Sequence, residues 1–450
     1  MKKVLIIGGG GCGLILANSL NLADYDVTII DKNEYHYYQP WYLYVAFKGS
    51  NRKIYKKITE LIKPGIKFYK DEVIEINLND RYVKTISGRK YDYDFITICT
   101  GTTPDVSEIQ GLDKIHEEYG DYHSTLENAR KLWNKFKDFN GGTFVLAQSS
   151  TICKCPPSML EGILMAEEYI NKKGLKQKTK FVFATPFPRA YPAEPINRIV
   201  EPILKERGIE VIPFFNVDSV DPVNKKIISL EGEEISYDFP AIVPPCKGVK
   251  IKYEPDNVLD DDRFVKVDKY VMKIVGFDDA FALGDTNNLP TSKTGVTAHL
   301  EAKVVADMFH GLDSKFNGRI NCPFDLGYGL GTFVIADYEH PVVPYPPDRL
   351  KHLMKMMMAR IYWMTLRAEI DNIFDLYFDI TKPEKLLELY SVEEYKKIFY
   401  FYNFPGSSNS NALFAFWARL LIISSFNASS NADNIVTKSI NFSKVPLLSK

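Results

Sequence analysis

The sequence predicts an α/β fold with parallel sheets, on three observations. Short β-branched runs alternate with helical stretches from residue 1 to about residue 330. The first run leads directly into a glycine cluster and then an apolar helix, the order expected where a strand's carboxyl end opens onto a ligand. The chain has 450 residues, which at roughly 150 per unit allows about three folding units and a sizeable core. In chain order, strands are expected at residues 3–7, 27–30, 95–99, 143–147, 181–184 and 280–283, and helices at 14–20 and 125–136. Fifty-six Lys+Arg against 57 Asp+Glu give a net charge of −1, so no basic field recruits nucleic acid and no acidic excess marks a disordered chain. Six cysteines are too sparse for a disulfide framework, and each is judged by its surroundings.

The nucleotide site comes first along the chain. The strand at 3–7 is followed by Gly8-Gly9-Gly10-Gly11-Cys12-Gly13. Glycine at Gly8, Gly10 and Gly13 permits a tight turn, close approach of backbone to a pyrophosphate, and packing of the helix on the strand. Asp31 ends the next strand, where a carboxylate can accept hydrogen bonds from ribose hydroxyls. Farther on, Ile96-Thr97-Ile98-Cys99-Thr100-Gly101 resembles the ATG motif of flavoproteins with two dinucleotide-binding domains, and Phe281-Ala282-Leu283-Gly284-Asp285 resembles their second FAD signature. That resemblance implies FAD, with Thr100, Gly101, Gly284 and Asp285 contributing to its site. A strand-end turn at Gly101 and a capping role for Asp285 are the ordinary alternatives.

The fold is therefore expected to hold two Rossmann-like dinucleotide-binding domains of the FAD/NAD(P)-binding type and a C-terminal membrane-associating helical region. Residues 1–112 and 251–330 form the two parts of the FAD domain, 113–250 the second domain, and 331–450 the C-terminal region. In the second domain the strand at 143–147 runs into Gln148-Ser149-Ser150-Thr151-Ile152-Cys153-Lys154-Cys155-Pro156-Pro157 rather than another glycine turn. Without those glycines the backbone cannot readily close on a second pyrophosphate, which argues against NAD(P)H as donor.

Cys155 lies just upstream of a predicted helix at 159–170 and beside Lys154, two features that favour a thiolate. Ser158 and Glu161 form an S-x-x-E pattern and are expected to cap that helix. A buried structural thiol is the alternative. Cys155-Pro156-Pro157-Ser158-Met159-Leu160-Glu161 resembles the cysteine motif of sulfide:quinone oxidoreductases and of the flavoprotein subunit of flavocytochrome c sulfide dehydrogenase. Cys322-Pro323-Phe324, followed by Gly327-Tyr328-Gly329-Leu330-Gly331, resembles their second cysteine region. On its own Cys322 reads as a packing cysteine. The resemblance, which covers about the first 340 residues, makes it the partner of Cys155 in a redox disulfide.

The same resemblance implies oxidation of hydrogen sulfide, passage of electrons through FAD to a membrane quinone, and a family role for Glu161 as an acid–base group. Lys293, in Ser292-Lys293-Thr294, resembles the family's segment near flavin and quinone, with an ordinary solvated lysine as the alternative; His299 falls roughly where some relatives place a glutamate, where its imidazole suits proton delivery to a quinone, and a satisfied helix histidine is the equal alternative. Some members bind FAD through a further cysteine; here that position holds Ser124, so noncovalent FAD is expected unless His123 or His36 supplies a link. Cys12 and Cys99 read as structural, Cys153 as undecided, and Cys246 has no motif support. No metal site is expected. A cytochrome-linked sulfide dehydrogenase and a type II NADH:quinone oxidoreductase are the rival activities.

After residue 330, turns at Pro341, Pro344, Pro346 and Pro347 precede a Met-rich helical run. Met354, Met357, Met358, Ile361, Thr365 and Ala368 share a face that reads either as core or as an apolar side in a membrane interface; in the second reading Lys351, Lys355, Arg360 and Arg367 are expected on the side near lipid phosphates. The apolar run at 412–426, interrupted by Arg419, falls short of the roughly 18 residues of a spanning helix. Peripheral, monotopic attachment without a cleavable leader is expected, and a homo-oligomer is compatible with the sequence.

Overall fold

The computed structural model describes residues 1–152 and 154–389. The strands that matter for the site are β1 (Lys2–Ile7), β2 (Tyr25–Asp31), β3 (Lys67–Lys70), β4 (Phe95–Ile98), β5 (Gly142–Gln148), β6 (Thr179–Ala184), β7 (Ile209–Ile212), β8 (Phe239–Val243), β9 (Ala280–Ala282), β10 (Ile320–Gly327) and β11 (Leu330–Ala336). The corresponding helices are α1 (Gly11–Ser19), α2 (Leu126–Phe136), α3 (Pro157–Lys172), α4 (Gly295–Phe309), α5 (Arg349–Leu366) and α6 (Asp371–Ile380).

Two parallel sheets organise the described chain. The first runs β9-β4-β1-β2-β3 and the second β7-β6-β5-β8. Their strands carry near-continuous apolar residues, as strands covered on both faces must; Val4 to Ile7 in β1 and Phe144 to Ala147 in β5 are all buried. In each sheet the strand order reverses at one strand, β1 or β5, because its neighbours on either side come from opposite crossovers. A crevice opens beyond the carboxyl end of such a strand, where ligands bind in open α/β sheets. Beyond β1 lies the glycine turn. Beyond β5 lies the segment that carries Cys155.

The third feature is the antiparallel hairpin of β10 and β11, which turns at Tyr328 and Gly329 and pairs Cys322 with Val334. Pro323 and three glycines in and around its turn hide this hairpin from a reading of strand propensity. Phe324, Leu326 and Val334 are buried in one large core with Met159, Leu160 and Ile163 of α3, which draws Cys322 toward the amino end of that helix.

Among the described residues no helix is long and apolar enough to cross a membrane. The Met-rich run forms α5, but its orientation differs from expectation. Lys351 and Lys355 are buried, whereas Leu353, Met357 and Met364 point outward beside Arg360. The cations turn inward because carboxylates await them: Asp348, which caps α5, holds Lys351 at 2.5 Å, and Glu161 holds Lys355.

Candidate active site

The glycine turn is built for close contact. Gly8 has a φ of 107° and a Cβ there would lie 2.3 Å from the Cys99 carbonyl oxygen; at Gly13 a Cβ would lie 2.1 Å from the Gly8 carbonyl oxygen. These positions seat α1 against β1 and β4. At Gly10, by contrast, a Cβ would meet nothing nearer than 3.7 Å, and at Gly101 nothing within 4 Å, so the face of the turn is open to a ligand. Asp31 ends β2 with Oδ2 accepting from the Gly9 amide at 2.7 Å. Burial raises its pKa, an effect its backbone hydrogen bonds oppose. Residues 100–101 meet the 284–286 turn directly: Thr286 Oγ1 accepts from the Gly101 amide at 2.7 Å and lies 3.3 Å from Thr100 Oγ1. The residues present fit a dinucleotide laid across β1.

Cys155 sits one residue before the Pro156 that precedes α3, with a φ of 47° that a side chain adopts only under constraint. Its amide donates to the Lys293 carbonyl at 2.9 Å, and its own carbonyl accepts from the Ser158 amide and hydroxyl at 2.8 and 2.7 Å. Its Sγ lies 3.5 Å from Cys322 Sγ, two free thiols in contact from segments 167 residues apart. The hydrogen bond with Cys155, together with burial, pushes the Cys322 thiol well above its ordinary pKa, and the Lys355 ammonium pulls the other way.

Beneath the two sulfurs lies a buried ionic network. Glu161 of α3 pairs with Lys355 of α5 and accepts from the Asp325 amide at 2.5 Å; Lys355 also points at the Pro323 carbonyl, next to Cys322, at 3.4 Å. Tyr44 donates to Asp325 at 2.5 Å, and His352 faces the same carboxylate at 3.4 Å. Burial works against the Lys355 charge, but the Glu161 and Asp325 carboxylates outweigh it and raise its pKa, so the ammonium is held charged beside the thiols. This corrects the expected capping box. Pro157 begins the helix two residues early, Ser158 falls inside its first turn and bonds Cys155 instead, and Glu161 is committed to Lys355. Lys355 is the residue that helix periodicity assigned to the lipid side.

The remaining candidates lie at stated places. Lys293 Nζ donates to the Asp285 and Asn287 carbonyls at 3.1 and 2.6 Å and lies 3.8 Å above the Phe264 ring; burial lowers its pKa. His299 is buried against Phe374 and Phe378 of α6, and burial pushes its pKa down to about 4, so the imidazole is neutral. His36 is likewise pushed down to about 4 by burial and lies 3.1 Å from the Gly9 carbonyl and 2.6 Å from the Tyr362 hydroxyl. His123 Nε2 lies 2.6 Å from Ser158 Oγ, and Ser124 donates to Asp121. Cys246 is buried, with its thiol pushed up to about 11 by that burial. Cys12 and Cys99 are buried beside the glycine turn. Cys153 and the run at 412–426 lie outside the described residues.

The model for pyridine nucleotide-disulphide oxidoreductases matches residues 2–302. A mitochondrial sulfide:quinone oxidoreductase of Mus musculus is 26% identical over 392 residues, covering 81% of this chain and 86% of that protein. The X-ray structure of the Aquifex aeolicus sulfide:quinone oxidoreductase superposes with a TM-score of 0.75 at 22% identity, over 85% of this chain and 95% of that one. A type II NADH:quinone oxidoreductase of Staphylococcus haemolyticus is 27% identical but covers 64% of this chain and 74% of its own. The chain belongs to the pyridine nucleotide-disulphide oxidoreductase family, and among its members it resembles the sulfide:quinone oxidoreductases.

Proposed function

We propose that this chain oxidises hydrogen sulfide at the Cys155/Cys322 pair and passes the electrons through noncovalently bound FAD to a membrane quinone. The observation that carries this reading is the 3.5 Å approach of the Cys155 and Cys322 thiols, with the Cys155 loop hydrogen-bonded to the Lys293 segment. With the pair oxidised, HS⁻ attacks one sulfur. One S–S bond breaks as another forms, giving a persulfide on one cysteine and a thiolate on the other. Joining that thiolate to the persulfide closes a trisulfide bridge, releasing one proton and two electrons; further turnovers lengthen the sulfur chain. Either cysteine can carry the sulfane sulfur in this scheme. FAD supplies the two-electron acceptor that returns the pair to a quinone.

The chain's own groups serve these steps. The Lys355 ammonium favours the thiolate, the form that reacts. Lys293, held over Phe264 and by two carbonyls, would present a positive charge at the Asp285 turn that stabilises a reduced flavin bound there. Glu161 keeps Lys355 in place. Ser124 makes a thioether impossible at the position where covalent relatives carry their cysteine.

The segment after β5 favours sulfide over NADH as donor. Where an NADH-using enzyme needs a second glycine turn, this chain places the cysteine loop. On anaerobic mixing, sulfide is expected to bleach the flavin band within the first turnover, and NADH to leave it unchanged. Bleaching by NADH and not by sulfide would overturn the proposal.

A membrane surface fits the outward face of α5. Leu353 and Met357 are 52% and 51% exposed, and Ile373 and Leu376 of α6 add further apolar surface. Each such side chain contributes about 1.5–3 kcal/mol on burial. Leu353→Glu with Met357→Glu is therefore expected to weaken cosedimentation with phosphatidylcholine/phosphatidylglycerol vesicles at least about tenfold, while sulfide-driven bleaching in solution stays intact. Undiminished vesicle binding would remove this face from the account.

A further inference from the structure

Glu301 takes no part in the sulfur chemistry, yet it is a fully buried carboxyl on the apolar side of α4, beside Ala298, Ala302 and Val305. Its Oε2 accepts from the Gly284 amide at 2.7 Å and from Asn287 Nδ2 at 2.8 Å. That one oxygen therefore ties α4 to the turn Gly284–Thr286. The turn passes the restraint on in two directions: through Thr286 to the Gly101 amide, and through the Asn287 and Asp285 carbonyls to the Lys293 ammonium. Glu301, Asp285, Lys293 and Thr294 also line one cleft.

We propose that Glu301 is a positioning residue of the flavin site: its carboxyl fixes the turn that carries Asp285, and it takes up a proton when electrons arrive there, so its charge sets the pH dependence of flavin reduction. This rests on the FAD reading. The groups facing Glu301 are Asp285 and Lys293 from the loop before α4, Cys99 at the end of β4, and Tyr338 beyond β11. Burial raises the carboxyl's pKa to about 8; the Gly284 and Asn287 hydrogen bonds and Lys293 oppose the rise, and Asp285 adds to it. Reduction brings two electrons and one proton to the flavin. Above about pH 8, where Glu301 is ionised before reduction, the added negative charge raises its proton affinity and one more proton, from solvent, converts its carboxylate to the acid; below that pH it is already neutral and takes up none. Reoxidation by quinone reverses both uptakes.

The test compares wild type, Glu301→Gln and Glu301→Ala by FAD content and by anaerobic reductive titration at pH values spanning about two units on each side of the Glu301 pKa. In wild type, proton uptake per electron pair is expected to rise from one to two just above about pH 8. Glu301→Gln, which keeps an acceptor for both hydrogen bonds, is expected to retain FAD within about twofold of wild type and to take up one proton throughout. Glu301→Ala is expected to lose FAD about tenfold or more. The same pH dependence in Glu301→Gln as in wild type, or full FAD retention in Glu301→Ala, would overturn this inference alone. A wild-type protein that neither carries nor takes up FAD would overturn the flavin reading, and this inference with it.

Discussion

Serine at Cys322 is expected to slow sulfide-driven bleaching of the flavin by roughly a thousandfold or more, the scale on which removal of a covalent catalyst acts. A hydroxyl cannot form a persulfide or close a bridge with Cys155, so no route remains for the electron pair to leave sulfide through this pair. The side chain is buried in the hairpin core, and a hydroxyl there costs about 1–3 kcal/mol if its hydrogen bond is poorly made. That is too little to unfold a chain of this size, so FAD content is expected to stay near wild type. Stopped-flow absorbance under anaerobic conditions reads the rate, and chemical reduction confirms that the bound flavin still accepts electrons. Wild-type bleaching in Cys322→Ser would remove the cysteine pair from the mechanism.

Lys355→Met acts on the same site through charge and carries the largest expected stability effect. The substitution leaves Glu161 buried without its cation, and breaking one side of a buried ion pair costs about 3–5 kcal/mol. Replacing both partners, as in Glu161→Gln with Lys355→Met, is expected to recover much of that loss, because no uncompensated charge remains. Denaturant unfolding of the two single variants and the double variant gives the coupling directly. In Lys355→Met that still folds, the thiol loses the ammonium that favours its ionised form, so bleaching by sulfide is expected to slow at least about tenfold at neutral pH and to recover at higher pH. A variant with normal stability and an unshifted pH profile would show that Lys355 does not act on the sulfurs.

What could be read from the sequence was local. The strand, glycine turn, helix and terminal Asp31 of the first sheet lie within one contiguous pattern, and the structure has them at the same places. Thr125 was legible as a helix start, and it caps α2 by accepting from the Asn128 amide. The meeting of Cys155 and Cys322 was not contained in any local pattern. It depends on a hairpin whose Pro323 and turn glycines obscure its strand character, and only the resemblance of two motifs pointed to it. Lys355 was misplaced for a different reason. Periodicity shows which residues of α5 share a face, but with methionines on several sides it does not show which face turns inward; that was decided by Glu161, 194 residues away. Glu161 fits the S-x-x-E cap pattern, but Pro157 starts α3 two residues before that pattern implies, which leaves Glu161 free to pair with Lys355. Glu301 left one readable signal, an acidic residue on the apolar stripe of a helix seven residues after the Thr294 cap.

The central claim is that the two sulfurs act as one redox pair, and peptide mapping by mass spectrometry tests it most directly. The protein is digested without reductant, before and after exposure to sulfide under anaerobic conditions. The expected result is a cross-linked peptide joining Cys155 to Cys322, which after sulfide carries one or more additional sulfur atoms between or upon these cysteines. Maps in which both cysteines stay unlinked and unmodified while the flavin is reduced by sulfide would contradict the account.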